Sequence, residues 1–174
     1  MFHILTAFIT TFAAISYFAM AVGDGISYNE IKIKHSEKHF PDTFTTIKRE
    51  VYWARYVDWS VTTPLLLLDL CLLAGLDGAS ILVAVVADLI MILTGLFAAF
   101  TVEDGPKWGW YAIACIAYLT VVYQLGFNGR GVVMGKDAST ATFFSAIAGF
   151  TLILWTIYPM YVRYNLCCAA RMIS

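Results

Sequence analysis

Long apolar runs alternate with short polar breaks along this chain, and the runs have the length of a bilayer crossing. Five stand out, at about 4–22, 51–75, 79–100, 109–127 and 140–162. A helix needs roughly 20 apolar residues to cross the hydrocarbon core. The first, fourth and fifth runs carry no charge; the second holds Arg55, Asp58 and Asp69, and the third holds Asp88. Backbone amides in lipid must be satisfied within their own segment, so the runs are read as helices. The alternation and closely spaced hairpins of a membrane barrel are missing from the pattern. The expected fold is an all-α, multi-pass integral membrane protein with five transmembrane helices.

The polar breaks differ in length. Residues 24–50 form one long polar loop, in which NEIKIKH alternates polar and apolar positions and predicts a short surface hairpin. The other links are GLDG at 75–78, VEDGPK at 102–107 and GFNGRGVVMGKD at 126–137. Trp108 and Trp110 follow the VEDGPK turn, where an interfacial aromatic belt would lie.

Composition narrows the function. Of 174 residues, 60% are hydrophobic and 13% charged, with a net charge of −1. Soluble domains are about half apolar and about a quarter charged. An ordinary soluble enzyme and a nucleic-acid binder are therefore excluded, and the bilayer itself is the first partner. Cys71, Cys115, Cys167 and Cys168 show no metal-ligand spacing and read as small apolar helix residues, so no metal is expected. The first run lacks a basic leading region and is too long for a simple signal peptide, so it reads as a mature span.

Ionisable residues at bilayer depth cost at least ~2.5 kcal/mol and are functional candidates by default. Asp58 and Asp69 are 11 residues apart. On a helix that is only ~20° past three full turns, with a rise of ~16 Å, so both point the same way. Arg55 lies one turn before Asp58 and Thr62 one turn after it. The polar line Arg55, Asp58, Thr62, Asp69 suits a proton or ion path, because carboxylates change protonation with their surroundings. The alternative is polar glue between helices. Asp88, alone in VVADLIMILTG, reads first as a protonated acid bonded to a neighbouring helix. Tyr17, Trp59, Tyr118, Trp155 and Tyr158 lie within the runs and read individually as packing. Pro159 should kink the fifth run. Aromatics around a polar centre would also suit a flat, conjugated ligand.

The segment YWARYVDWSVTTPLLLLDL, Tyr52 to Leu70, resembles the third helix of the microbial (type 1) rhodopsins, nearest to bacteriorhodopsin and the proton-pumping fungal opsins. LTAFITTFAAISYFAMAVGDG is similar to that family's second helix, VVADLIMILTGL to its fourth, KWGWYAIACIAYLTVVYQLGF to its fifth and ATFFSAIAGFTLILWTIYP to its sixth. The resemblance covers about residues 3–160. It implies helices two to six of a seven-helix bundle, an opsin-like domain over 1–165 and a divergent tail at 166–174.

By position, the resemblance implies that Asp58 is the proton acceptor and counterion, Asp69 the proton donor, and Arg55 the arginine gating outward release. Thr62 is implied as the threonine bonded to the acceptor, and Thr6 as the one near the donor. Trp59, Thr63, Leu66, Met91, Gly95, Trp155, Tyr158 and Pro159 fall on retinal-pocket positions, with Trp110 a further pocket tryptophan. Asp88 matches a buried acid near the retinal ring, and Tyr17 is a secondary site candidate.

The resemblance has gaps. The family attaches retinal to a lysine of its seventh helix. The lysines here are Lys32, Lys34, Lys38, Lys48, Lys107 and Lys136, all expected in loops, so none serves as the Schiff-base lysine. Counterparts of the first and seventh helices are missing, which predicts a truncated chain. The lysine-rich 24–50 loop would lie in the cytoplasm by charge count, whereas the family places it outside, and the family orientation is adopted. The expected function is a light-driven proton pump with retinal and protons as partners, in the plasma membrane and able to form homo-oligomers. The alternatives are a lysine-less opsin-related protein with a stress or chaperone role, or a non-functional fragment.

Overall fold

The computed structural model describes the backbone of residues 2–35 and 43–173, and side chains over 3–30, 46, 48–103, 105–157 and 160. In chain order the elements are α1 (Phe2–Ala21), β1 (Ile26–His35), β2 (Thr43–Tyr52), α2 (Trp53–Ala74), α3 (Gly78–Phe100), α4 (Asp104–Val122), a π-helical segment (Tyr123–Gly129), α5 (Arg130–Val133) and α6 (Ala138–Ile173). Among the described residues, five stretches are long and apolar enough to cross a membrane: His3–Ala21, Trp53–Ala74, Gly78–Phe100, Gly105–Val133 and Ala138–Ile157.

Polarity is inverted relative to a water-soluble globule. Asp58, Thr62, Asp88, Thr94, Gln124 and Thr151 are buried, while Phe8, Phe18, Leu82, Ile116 and Phe150 are exposed. In water this would be an unstable surface. In hydrocarbon it is the favourable one, since polar groups turn inward and apolar groups meet lipid. The chain is a multi-pass integral membrane protein.

Several boundaries differ from the expectation. The 24–50 loop is largely a two-stranded antiparallel hairpin, with Ile26 opposite Tyr52 and Asn29 opposite Arg49. β1 begins three residues before NEIKIKH and ends with it, while β2 runs on to Tyr52, so the second span starts at Trp53 rather than 51. The fourth span does not stop at 127. The π-helical turn carries it through Gly129 into α5, so the expected 126–137 connection is helical as far as Val133. α6 runs on to Ile173 instead of ending at 162. The lysines are not all in loops: Lys32, Lys34 and Lys48 are in strands, and Lys107 is in the first turn of α4.

The chain divides into two compact units, Met1–Leu66 with Asp88–Ala114, and Leu67–Ala87 with Cys115–Ser174. In the first, the hairpin is fastened to the end of α3. Asn29 Nδ2 donates to the Phe100 carbonyl at 3.1 Å, and Arg49 Nη2 donates to the Ala99 carbonyl. These are two of the four carbonyls a helix C-terminus leaves without partners. Gly25, at φ +73°, brings the chain so close to Ala54 that a Cβ there would lie 2.4 Å from the Ala54 methyl.

In the second unit α2 ends in a Schellman arrangement at Gly75, φ +78°. Leu76 N–H reaches the Cys71 carbonyl at 3.0 Å and Gly75 N–H the Leu72 carbonyl at 3.1 Å. Lys136 Nζ adds a 3.4 Å bond to the Leu73 carbonyl. In the π-helical segment, Asn128 Nδ2 donates to Gln124 Oε1 at 2.7 Å. Gly129 there leaves the space that the buried Phe144 ring fills, for a Cβ would meet its Cζ at 2.9 Å.

Two aspartates start helices. Asp77 precedes α3 and accepts from Ser80 N–H at 3.2 Å and Ser80 Oγ–H at 2.6 Å. Asp137 precedes α6 and accepts from Thr140 N–H at 3.3 Å and Thr140 Oγ1–H at 2.6 Å. Both are N-caps at the position where a carboxylate meets the free amides of the first turn. The Ser80 hydroxyl bond is the main reason the Asp77 carboxyl is held below the usual carboxylate range, and the Thr140 hydroxyl does the same for Asp137.

Candidate functional site

The polar line of the second run is carried by α2, which continues unbroken through Pro64. Asp58 is 2% exposed, although charged residues are almost never buried without a partner. Its Oδ1 and the Nε of Arg55 are buried atoms without hydrogen-bond partners. No ion pair joins Arg55 to Asp58 among the described residues. Instead the Arg55 guanidinium sits 5.7 Å from the centroid of the Tyr52 ring and 5.9 Å from that of Trp59, at the distance of a cation–π contact. Tyr52 in turn donates its hydroxyl to Glu50 Oε2 at 2.8 Å. That bond is the leading reason the Tyr52 phenol is raised above its ordinary value.

Thr62 does not meet the expectation of a bond to the acceptor carboxyl. Its hydroxyl donates to the Asp58 backbone carbonyl at 2.9 Å, one turn back on the same helix. The neighbouring Thr63 makes the inter-helix contact, with Oγ1 2.7 Å from Asp88 Oδ2 and 2.7 Å from the Trp59 carbonyl. Asp88 is fully buried. A threonine hydroxyl has one proton and the Trp59 carbonyl can only accept. When that proton goes to Trp59, the contact with Asp88 is satisfied by a protonated Asp88 donating to the Thr63 oxygen.

The pocket candidates of the first unit are Trp59, Thr63 and Leu66 on α2 and Met91 and Gly95 on α3, all half-buried. Gly95 has the Tyr56 ring 3.6 Å from where its Cβ would be, ordinary contact distance. Trp110 packs on Phe97 at 5.1 Å between centroids. Apart from the Thr63 hydroxyl, these side chains are apolar or aromatic. None of the lysines in the described residues lies mid-span in a helix, and Lys38 falls outside the described residues.

Thr6 is exposed on α1, where its carbonyl accepts from Thr10 Oγ1 at 3.0 Å. Tyr17, expected to pack within a span, is half exposed on the same helix. In the second unit, Asp69 and Trp155 are half-buried on α2 and α6. Tyr118 shares its hydroxyl with Thr156 Oγ1 at 2.6 Å and reaches the Leu152 carbonyl at 3.0 Å. The side chains of Tyr158 and Pro159, and with them the expected kink, lie outside the described residues.

Three features escaped the sequence reading: the Tyr52–Glu50 bond, the aromatic cradle of Arg55, and the Asn29 and Arg49 caps. The first had a signal, since Glu50 and Tyr52 are two apart in an alternating stretch and share one face of a strand. The caps depend on hairpin register, which the sequence does not display.

Comparison with known proteins places this geometry in a family. The family model for bacteriorhodopsin-like proteins matches residues 1–165. Opsin-1 of Neurospora crassa is 49% identical over 163 residues, covering 92% of this chain and 53% of the relative. Bacteriorhodopsin of Halobacterium salinarum is 35% identical over 159 residues, covering 91% and 56%. The crystal structure of a light-driven proton pump from Leptosphaeria maculans superposes with a TM-score of 0.85 at 57% identity, covering 91% of this chain and 65% of that one. The chain thus spans about half the length of the curated relatives it matches. The chain belongs to the family of bacteriorhodopsin-like proteins.

Proposed function

We propose that this chain forms the proton-conducting part of a retinal-dependent, light-driven outward proton pump in the plasma membrane. The observation that carries the reading is the buried Asp58, one turn from Arg55 and three turns from Asp69 on a single helix. The similarity to proton-pump and opsin relatives supports it. Retinal, when bound, would supply the light-driven change in proton affinity. Trp59, Thr63, Leu66, Met91 and Gly95, with Trp155, Tyr158 and Pro159, would hold its polyene. Asp58 takes up a proton in a water-poor site, Arg55 holds positive charge toward the outward side, and Asp69, with Thr6, returns a proton from the inward side. Asp88 fixes α2 to α3 through Thr63.

The test joins the chain to the first helix and the lysine-bearing seventh helix of a fungal relative, expressed in yeast with all-trans retinal. The expected result is a hydroxylamine-bleachable visible band and acidification of the medium in light. D58N abolishes acidification, and D69N slows recovery about 100-fold, the scale of a lost proton-transfer group. The chain alone gives no bleachable band. Absence of pigment from the completed protein would overturn the pump reading in favour of a lysine-less opsin-related membrane role.

A further inference from the structure

We propose that Glu50 is the exit carboxylate of this chain, taking the outgoing proton from the Tyr52 hydroxyl beside Arg55. The proposal rests on the pump reading and deepens it by naming the group from which the proton leaves.

The geometry is a short line from buried to exposed. Asp58 is buried, and Arg55 lies one helical turn before it with its Nε also buried. The guanidinium sits at the Tyr52 ring, and the Tyr52 hydroxyl ends on the Glu50 carboxylate at 2.8 Å. Glu50 itself is exposed on β2. Proton flow along this line conserves atoms. A proton arriving at the Tyr52 oxygen makes a new O–H bond there while the phenol's own proton moves to Glu50 Oε2. Neutral Glu50 then loses that proton to water, and both groups return to their starting state.

Arg55 couples the two ends. While Asp58 is ionised, it offsets part of the guanidinium charge. Once Asp58 takes a proton, that charge acts undiminished on the Tyr52–Glu50 pair and favours loss of a proton from it. Tyr28 stands directly opposite Glu50 across the hairpin, and the Glu30–Lys48 pair, 3.9 Å apart, is the next rung on the same face. Tyr28 has a small effect on Tyr52 and Arg55 an opposing one.

The experiment needs no retinal. The chain is placed in lipid nanodiscs with its tyrosines ¹³C-labelled at Cζ, and Tyr52 is assigned by the signal missing from Y52F. Its starting midpoint lies above the ordinary phenol value. E50Q is expected to bring it down, R55Q to raise it, and D58N to lower it by of the order of half a pH unit at low salt and less at high salt. E50D, which keeps the charge, restores part of the E50Q effect. A Tyr52 midpoint indifferent to D58N, or a D58N effect that survives unchanged in R55Q, overturns the proposal. In the completed pump, E50Q slows the appearance of protons outside without removing pigment; an unaltered rate also overturns it. Failure of the completed protein to acidify in light, with the Tyr52 couplings intact, would sink the pump reading and leave the coupled line in place.

Discussion

Thr63 on α2 and Asp88 on α3 are joined by a 2.7 Å contact between a half-buried hydroxyl and a fully buried carboxyl. Within the first unit this contact ties α2 to α3 through polar side chains. Replacing Thr63 with Val keeps the shape and leaves the Asp88 carboxyl without its partner. Inter-helix hydrogen bonds in membrane proteins contribute about 0.5–2 kcal/mol, and T63V is expected to lose that amount in a detergent-unfolding titration. D88N, whose amide can donate to the Thr63 oxygen, should lose less than D88L. A T63V/D88L double variant should be less destabilised than the sum of the singles. Strict additivity would show that the contact contributes nothing.

The hairpin offers a second prediction. Asn29 and Arg49 are cross-strand partners, and together they cap the last two carbonyls of α3. Either substitution to Ala should cost about 1 kcal/mol, the ordinary net contribution of a hydrogen bond. The change should appear as faster amide exchange over Ile26–His35 and Thr43–Tyr52, with the α3 interior unchanged. Exchange that rises equally in α3 and α6 would mean that the caps support the whole molecule rather than the hairpin.

These two ties also mark how far the sequence could be read. The helices were legible because hydrocarbon imposes a length and a composition on anything that crosses it. Asp58, Asp69 and Asp88 were legible because a charge is conspicuous inside an apolar run. Partners were not. Sequence spacing puts Thr62 and Thr63 one residue apart, and only the rotation of α2 decides that Thr63 reaches Asp88 while Thr62 bonds its own helix. The π-helical turn was hidden for a similar reason. YQLGFNG looks like a span ending in a glycine-containing loop, yet Gly129 is there to admit the Phe144 ring and the helix continues.

Gly25 combines two demands, a positive φ and the absence of a side chain against Ala54. G25A should therefore be among the most damaging single changes in the hairpin, since it adds backbone strain to overlap with a methyl group. A54G relieves the overlap but not the strain. The double variant should recover part of the stability lost by G25A, read as the thermal midpoint of the purified chain. Full recovery would show that crowding alone selects glycine, and no recovery that φ alone does.

The caps at Asp77 and Asp137 carry a pH prediction with a definite sign. Both carboxyls are held below the usual range in the folded protein, chiefly by hydroxyl donors from Ser80 and Thr140. The unfolded chain has aspartates near 3.9, so it binds protons more readily than the folded one. Their stabilising contribution is then fully present above that value and is lost as pH falls through the lower folded value. Thermal midpoints of the chain measured from pH 6 downward should hold steady and then fall below about pH 4. D77N and D137N keep a capping oxygen but cannot titrate. Each should start slightly lower at neutral pH and lose less on acidification, and the double variant should flatten the acid limb further. An acid limb identical in the double variant and the parent would show that other carboxylates govern the loss.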